Sequence, residues 1–215
     1  MKNEMFDRDK DYWNEYYSLD KGEHAPSLFA EFIWDTYIKD CIGNLLELGC
    51  GNGRDSEFFM SLGVPITAID AADTAISYLV KKHKNDENAT FICGDFVDAH
   101  TDNKYKYCYS RFTIHAITEM QEEKLIKRIS KLLDNDGYFF IEVRSIHDEL
   151  YGCGEKVGEN AYIFDGHYRR FVCMGELATK LEKEGFIIDY AAEQRGFAPH
   201  GTENPYIIRI VGKKC

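Results

Sequence analysis

The chain has 215 residues, enough for one α/β domain with a sizeable core and too few for two comfortable ones. Its formal net charge of -11 argues against a general affinity for nucleic acid, because phosphate neutralisation needs a basic surface. The seven cysteines, at 41, 50, 93, 108, 153, 173 and 215, include no C-x-x-C pair, and three lie in apolar runs, which reads as reduced, mostly buried thiols and neither a disulfide frame nor a zinc site.

The opening MKNEMFDRDKDYWNEYY is too charged for a signal peptide, and no apolar run approaches the ~20 residues of a membrane-spanning helix. The expectation is a soluble, cytoplasmic protein that engages no membrane. Residues 6–18 carry Phe6, Tyr12, Trp13, Tyr16 and Tyr17 in a helix-like cluster, and residues 27–41 repeat apolar positions at near-helical spacing behind Ser27 as a cap. Together they make an N-terminal helical extension, 1–43. A core, 44–145, then alternates strands at 44–48, 65–70, 90–94, 105–110 and 137–145 with helices at 54–63, 73–84 and 118–134. That alternation predicts an α/β fold, a mostly parallel sheet with helices on both faces. Residues 146–172 break the rhythm, and 146–170 reads as an irregular, Gly-rich and aromatic insertion on the acceptor side. The stretch 173–215 supplies a helix at 174–185 and strands at 186–192 and 205–212 that pair like a hairpin at the sheet edge.

The strongest signal is LLELGCGNGRD, with Glu47, Gly49, Gly51 and Gly53 between a strand and a helix. Glycines there allow a tight turn and the close approach of a ligand to the backbone. The spacing is G-x-G-x-G, which fits neither the dinucleotide fingerprint nor a P-loop. Asp70 ends the second strand 23 positions after Glu47, where a carboxylate can accept from both hydroxyls of a ribose. Asp95 follows the third strand, where it can accept from an exocyclic amine while Phe96 packs on a ring face. Arg54 and Asp55, beside the glycines, either pair with each other or orient a ligand carboxylate.

In these motifs the sequence resembles the class I S-adenosylmethionine-dependent methyltransferases. Glu47-Leu48-Gly49-Cys50-Gly51-Asn52-Gly53 matches their first motif, Asp70 the second and Gly94-Asp95-Phe96 the third. The resemblance implies a Rossmann-like seven-stranded sheet with the last strand antiparallel, and S-adenosyl-L-methionine as cofactor. Its methionine part would face the glycines, its ribose Asp70 and its adenine Asp95 with Phe96, with Ser110 added from the fourth strand. Ser110-Arg111-Phe112-Thr113 replaces the Pro-Pro-Tyr run of members that methylate amino groups of bases or glutamine. The whole chain is also similar to small-molecule methyltransferases encoded with surface-polysaccharide genes and, more distantly, to tellurite-resistance methyltransferases.

Ligands of open α/β sheets bind beyond the carboxyl ends of the strands. That rule selects Ser110, Arg111 and His115 after the fourth strand and Arg144 with His147 after the fifth; His167, Tyr168, Arg169 and Arg170 come from the insertion. His115, Arg111 and His167 are the catalytic candidates, and Arg144, His147, Tyr168, Arg169 and Arg170 the acceptor-binding ones, with Arg169 and Arg170 as an anion clamp. His24, His83 and His100 read as solvent-facing. No His/Asp cluster has ligand spacing, so no metal is expected. The expected activity is methyl transfer to a small anionic metabolite at a sugar, phosphate or phosphonate-type oxygen, by a monomer or homodimer. The rivals are a thiol or chalcogen methyltransferase and a non-catalytic S-adenosylmethionine-binding protein.

Overall fold

The computed structural model describes residues 13–15, 17, 25–99, 101 and 103–215, in two units divided between residues 101 and 102. In the first unit Trp13 and Tyr17 lie in a helical stretch with their rings stacked at 5.7 Å, while Phe6, Tyr12, Tyr16, His24 and His100 fall outside the described residues. Ser27 stands extended before helix α1 (Leu28–Ile33), and its hydroxyl accepts from the Ala30 amide at 3.0 Å, satisfying one of the helix's orphan donors. The helix buries Phe29, Ala30 and Ile33, and a π-helical turn, Trp34–Ile38, continues it.

Strands β1 (Leu45–Leu48), β2 (Ile66–Asp70) and β3 (Ala89–Cys93) are parallel, with Leu45 opposite Ile66 and Ile66 opposite Ala89. β1 is buried throughout and β2 up to Asp70, the unbroken burial of strands covered on both faces. The connections are helices α2 (Arg54–Ser61), which ends at Gly63 with φ +81°, and α3 (Asp73–Lys82), with Lys81 and Lys82 in its last turn.

The second unit begins with β4 (Tyr105–Arg111). Helix α4 (Glu119–Leu132) is opened by a capping box in which Thr118 and Gln121 exchange hydrogen bonds. It runs straight into β5 (Leu133–Arg144), which starts four residues before the expected 137 because the DNDG turn forms a bulge in the parallel β4–β5 pair. The 146–170 insertion is not irregular. It holds β6 (Glu155–Gly158), β7 (Ala161–Phe164) and β8 (His167–Arg170), an antiparallel sheet turned at Asn160 and at Asp165-Gly166, all at positive φ. Tyr151, Tyr162 and Phe171 meet edge to face behind it, with centroids 5.5 to 6.1 Å apart. Helix α5 (Met174–Lys183) precedes β9 (Phe186–Gln194), and β10 (Ile207–Lys214) lies antiparallel between β5 and β9.

The seven main strands run in the order β3-β2-β1-β4-β5-β10-β9, the expected mostly parallel Rossmann-like sheet with the last strand, β10, antiparallel to its neighbours. The expectation of mostly buried thiols fails. Only Cys50 and Cys108 are buried, whereas Cys41, Cys93 and Cys215 are exposed. Cys93 ends the edge strand β3, and Cys41 follows the π-helical turn. Among the described residues no helix is long and apolar enough to cross a membrane, and no group of three His, Cys, Asp or Glu side chains could hold a metal.

Candidate functional site

The glycine loop depends on residues without Cβ. Gly49, Gly51 and Gly53 take φ of +68°, +53° and +84°, a region that side chains disfavour. The Gly49 and Cys50 amides both donate to the Ile69 carbonyl, at 2.7 and 3.2 Å, which folds β1 back over the end of β2. A Cβ at Gly53 would stand 2.4 Å from Leu79 Cδ2, and one at Gly51 2.3 Å from the Tyr17 hydroxyl. Asn14 caps α3 nearby: its Oδ1 accepts from the Thr74 amide at 3.2 Å and its Nδ2 donates to Asp73 at 3.1 Å.

Asp70 is the loop's electrostatic anchor. Its Oδ2 accepts from the Gly51 amide and its Oδ1 from the Ala72 amide, each at 2.8 Å. Burial raises its pKa, and these amides pull the other way. An ionised carboxylate has about four lone-pair sites, so acceptor capacity remains beyond these amides. Glu47 is buried and accepts from the Ser56 hydroxyl, tying β1 to the first turn of α2. Asp95 accepts from the Val97 amide at 2.8 Å in an Asx turn that presents the half-buried Phe96.

Two readings in this unit change. Arg54 and Asp55 do not pair with each other: Arg54 Nε donates to the Ala25 carbonyl at 2.6 Å, and Asp55 accepts from the Ser27 amide and hydroxyl at 2.8 Å each. Both hold segment 25–27 against α2, a long-range contact that local spacing cannot reveal. His83 is not solvent-facing but half-buried, 2.7 Å from Glu57, which Lys82 also contacts.

In the second unit β4 ends in an unusual conformation. Phe112, a bulky residue, takes φ +56°, and its amide donates to the Glu142 carbonyl at 2.8 Å. Its ring has the Arg111 guanidinium 4.6 Å from its centroid, Arg144 at 6.0 Å and the His115 ring at 5.6 Å. Arg111 also donates to Glu142 Oε1 at 3.0 Å, while Arg209 takes Oε2 at 2.8 Å. Arg144 spans both oxygens of Asp148 at 3.1 Å. The Ser110 hydroxyl is fully buried and bonded to Thr113, so it steadies this turn.

Strand geometry breaks the predicted Arg169–Arg170 clamp, because successive side chains point to opposite faces. His167 and Arg169 share one face of β8. On the other, Tyr168 and Arg170 are buried, and Arg170 donates to the Ile117 carbonyl at 3.0 Å and pairs with Glu122, which Lys180 reaches at 2.8 Å. Arg170 is thus a structural tie and not an acceptor ligand. His147 is largely exposed, with Nε2 4.0 Å from Glu193.

His115 is 6% exposed, and its Nδ1 has no hydrogen-bond partner among the described residues. Burial pushes its pKa well below the usual imidazole range, and Arg169, Arg144, His167 and Arg170 push it further. Burial, then Arg169, lowers His167 to about 4. Both rings are neutral at physiological pH inside a cationic cluster. The structure therefore brings together His115, His167, Arg169, Arg144 and Arg111, with Arg170 near His115 but bonded to Glu122, and leaves Ser110, Tyr168 and His147 in other settings. Phe112, Glu142 and Asp148 escaped the sequence reading. Only the Arg-Phe-Thr run after β4 could have drawn attention to Phe112.

Residues 45–137 match a family model described as a methyltransferase domain. An uncharacterized methyltransferase of Bacillus cytotoxicus is 25% identical over 193 residues, covering 84% of this chain and 89% of that protein. Phosphoethanolamine N-methyltransferase of Triticum aestivum is 25% identical over 149 residues, covering 68% of this chain; the chain spans 27% of the wheat protein. Among solved structures, Burkholderia thailandensis 1,6-didemethyltoxoflavin-N1-methyltransferase, with bound 1,6-didemethyltoxoflavin and S-adenosylhomocysteine, shares the fold at TM-score 0.72 and 18% identity, over 95% of this chain and 84% of that one. A methyltransferase from Methanosarcina mazei does so at 0.73 and 18%, over 85% and 96%.

Proposed function

Because the chain belongs to the class I S-adenosylmethionine-dependent methyltransferases, we propose that it binds S-adenosylmethionine on the first unit's glycine loop and methylates a small anionic metabolite, in the cytoplasm, through His115, His167, Arg144 and Arg169 of the second unit. The cofactor, when bound, supplies a methyl group already activated by its sulfonium. The loop fits such a ligand, since bare glycine backbone lets it approach where any Cβ would intrude. Asp70 keeps acceptor capacity for ribose hydroxyls while it holds the loop, and Phe96 offers a ring face for adenine. Similar proteins are solved with S-adenosylmethionine or S-adenosylhomocysteine bound, which supports this assignment.

On the acceptor side the cations orient an anion by charge-assisted hydrogen bonds, and Phe112 packs beside it. The observation that carries this reading is the buried, unpartnered His115 Nδ1 among arginines. Buried polar atoms are nearly always satisfied, so one left open among the described residues supports a ligand there. A labelled-methyl screen over small anionic metabolites tests it. Arg169→Ala should abolish turnover while leaving cofactor affinity nearly unchanged, and unaltered turnover would refute the anion grip.

A further inference from the structure

We infer that the atom methylated is an acceptor oxygen that arrives already anionic, of the carboxylate, phosphate or phosphonate class, and that none of the buried carboxylates and imidazoles around Arg144 and Arg169 takes a proton in the step. This rests on the methyltransferase reading and deepens it. There, the anion held by the arginines is the nucleophile itself and not a handle for a hydroxyl elsewhere on the molecule.

A hydroxyl acceptor needs a base with both a free lone pair and an affinity for a proton. The three buried carboxylates bonded to the cluster have spent theirs. Glu142 gives one oxygen to Arg111 and the other to Arg209. Asp148 meets Arg144 with both oxygens and also accepts from the Leu150 and Tyr206 amides, each at 3.0 Å. Glu122 is divided between Arg170 and Lys180.

The imidazoles fail for the opposite reason. His115 has an open Nδ1, but Arg169 and Arg170 from β8, Arg144 from β5 and the neighbouring His167 all raise the energy of a proton placed there. The same surroundings suit an incoming oxyanion, whose charge the guanidiniums answer and to which a neutral imidazole N–H can donate. In the step an oxygen lone pair forms the new C–O bond as the C–S bond breaks, leaving that bond's electrons on sulfur as a neutral thioether. The acceptor loses one negative charge, and no proton is released.

The full chain is titrated by calorimetry with methylphosphonate and with acetate, using methyl glucoside and ethylamine as hydroxyl and amine controls. Both anions should bind and both controls should not. Arg169→Ala should weaken anion binding by about tenfold or more, as expected for a lost charge-assisted hydrogen bond. Arg169→Lys should restore part of it. S-adenosylmethionine binding, measured in the same samples, reports separately on the first unit and on the folding of each variant. Loss of that heat sinks the methyltransferase reading, whereas retained heat with anion affinity indifferent to Arg169, or matched by the controls, sinks this inference alone. In the acceptor screen, run at a pH well above the acceptor's highest pKa so that it enters fully ionised, an indicator dye in weak buffer should register no proton per methyl transferred, and one proton per methyl would overturn the inference.

Discussion

Replacing Gly53 with Ala places a methyl group where the fold has left none. The residue sits at φ +84° before α2, and the added carbon would stand 2.4 Å from Leu79 Cδ2 and 3.1 Å from Cδ1. Leu79 is completely buried on α3 and cannot swing into solvent. The left-handed backbone costs an alanine about 1–2 kcal/mol and overpacking against a core leucine about 1–3 more, so the total is about 2–5 kcal/mol. For a chain of this size each kcal/mol lowers the melting temperature by roughly 2–4 °C, which puts the expected drop at about 4–20 °C. Melting followed by circular dichroism in a double-mutant cycle with Leu79→Ala separates the two costs. With Leu79 truncated, the clash disappears and Gly53→Ala should cost only its backbone share of about 1–2 kcal/mol. A Gly53→Ala protein melting with the wild type, or an equal penalty in both backgrounds, would refute the loop geometry.

The two neighbouring arginines of β8 should separate by assay. Arg170→Ala strands the buried Glu122 and should cost about 3–5 kcal/mol in urea titration, whereas Arg169→Ala should shift stability by less than about 1 kcal/mol; equal losses would contradict their division of labour. His167, lowered to about 4 in the fold from an ordinary 6.5, contributes stability that is fully present above pH 6.5 and is lost as pH falls toward 4. His167→Gln should flatten that part of the acid limb, a change of about 3 kcal/mol at most, and an unaltered pH profile of urea midpoints would exclude a buried neutral ring.

Much of the cofactor half was legible because its constraints are local. Three glycines between a strand and a helix, and an acidic residue ending the next strand, follow from turn sterics over a few residues, and the helices around them carry their own caps. What escaped depends on partners far apart in sequence. Arg54 and Asp55 look like neighbours that could pair, yet residues 25–27 claim both. Residues 155–170 hide three strands because β6 is exposed along its length, which removes the alternation that marks a strand. Without that strand, nothing showed that Arg169 and Arg170 face opposite ways. The left-handed Phe112 has no compositional signature either, since its conformation is imposed by the turn between Ser110 and Thr113 and by Glu142 across the sheet.

The most direct measurement is isothermal calorimetry of S-adenosylmethionine against the wild-type chain and against Asp70→Asn. An amide there loses the charge that holds the Gly51 amide and that would, on the proposed reading, hold the ribose hydroxyls, so affinity should fall by about 100-fold or more, two charge-assisted bonds at about 1.5–3 kcal/mol each. A wild-type protein that yields no heat with this compound, or a variant that binds it as tightly as the wild type, would contradict the account.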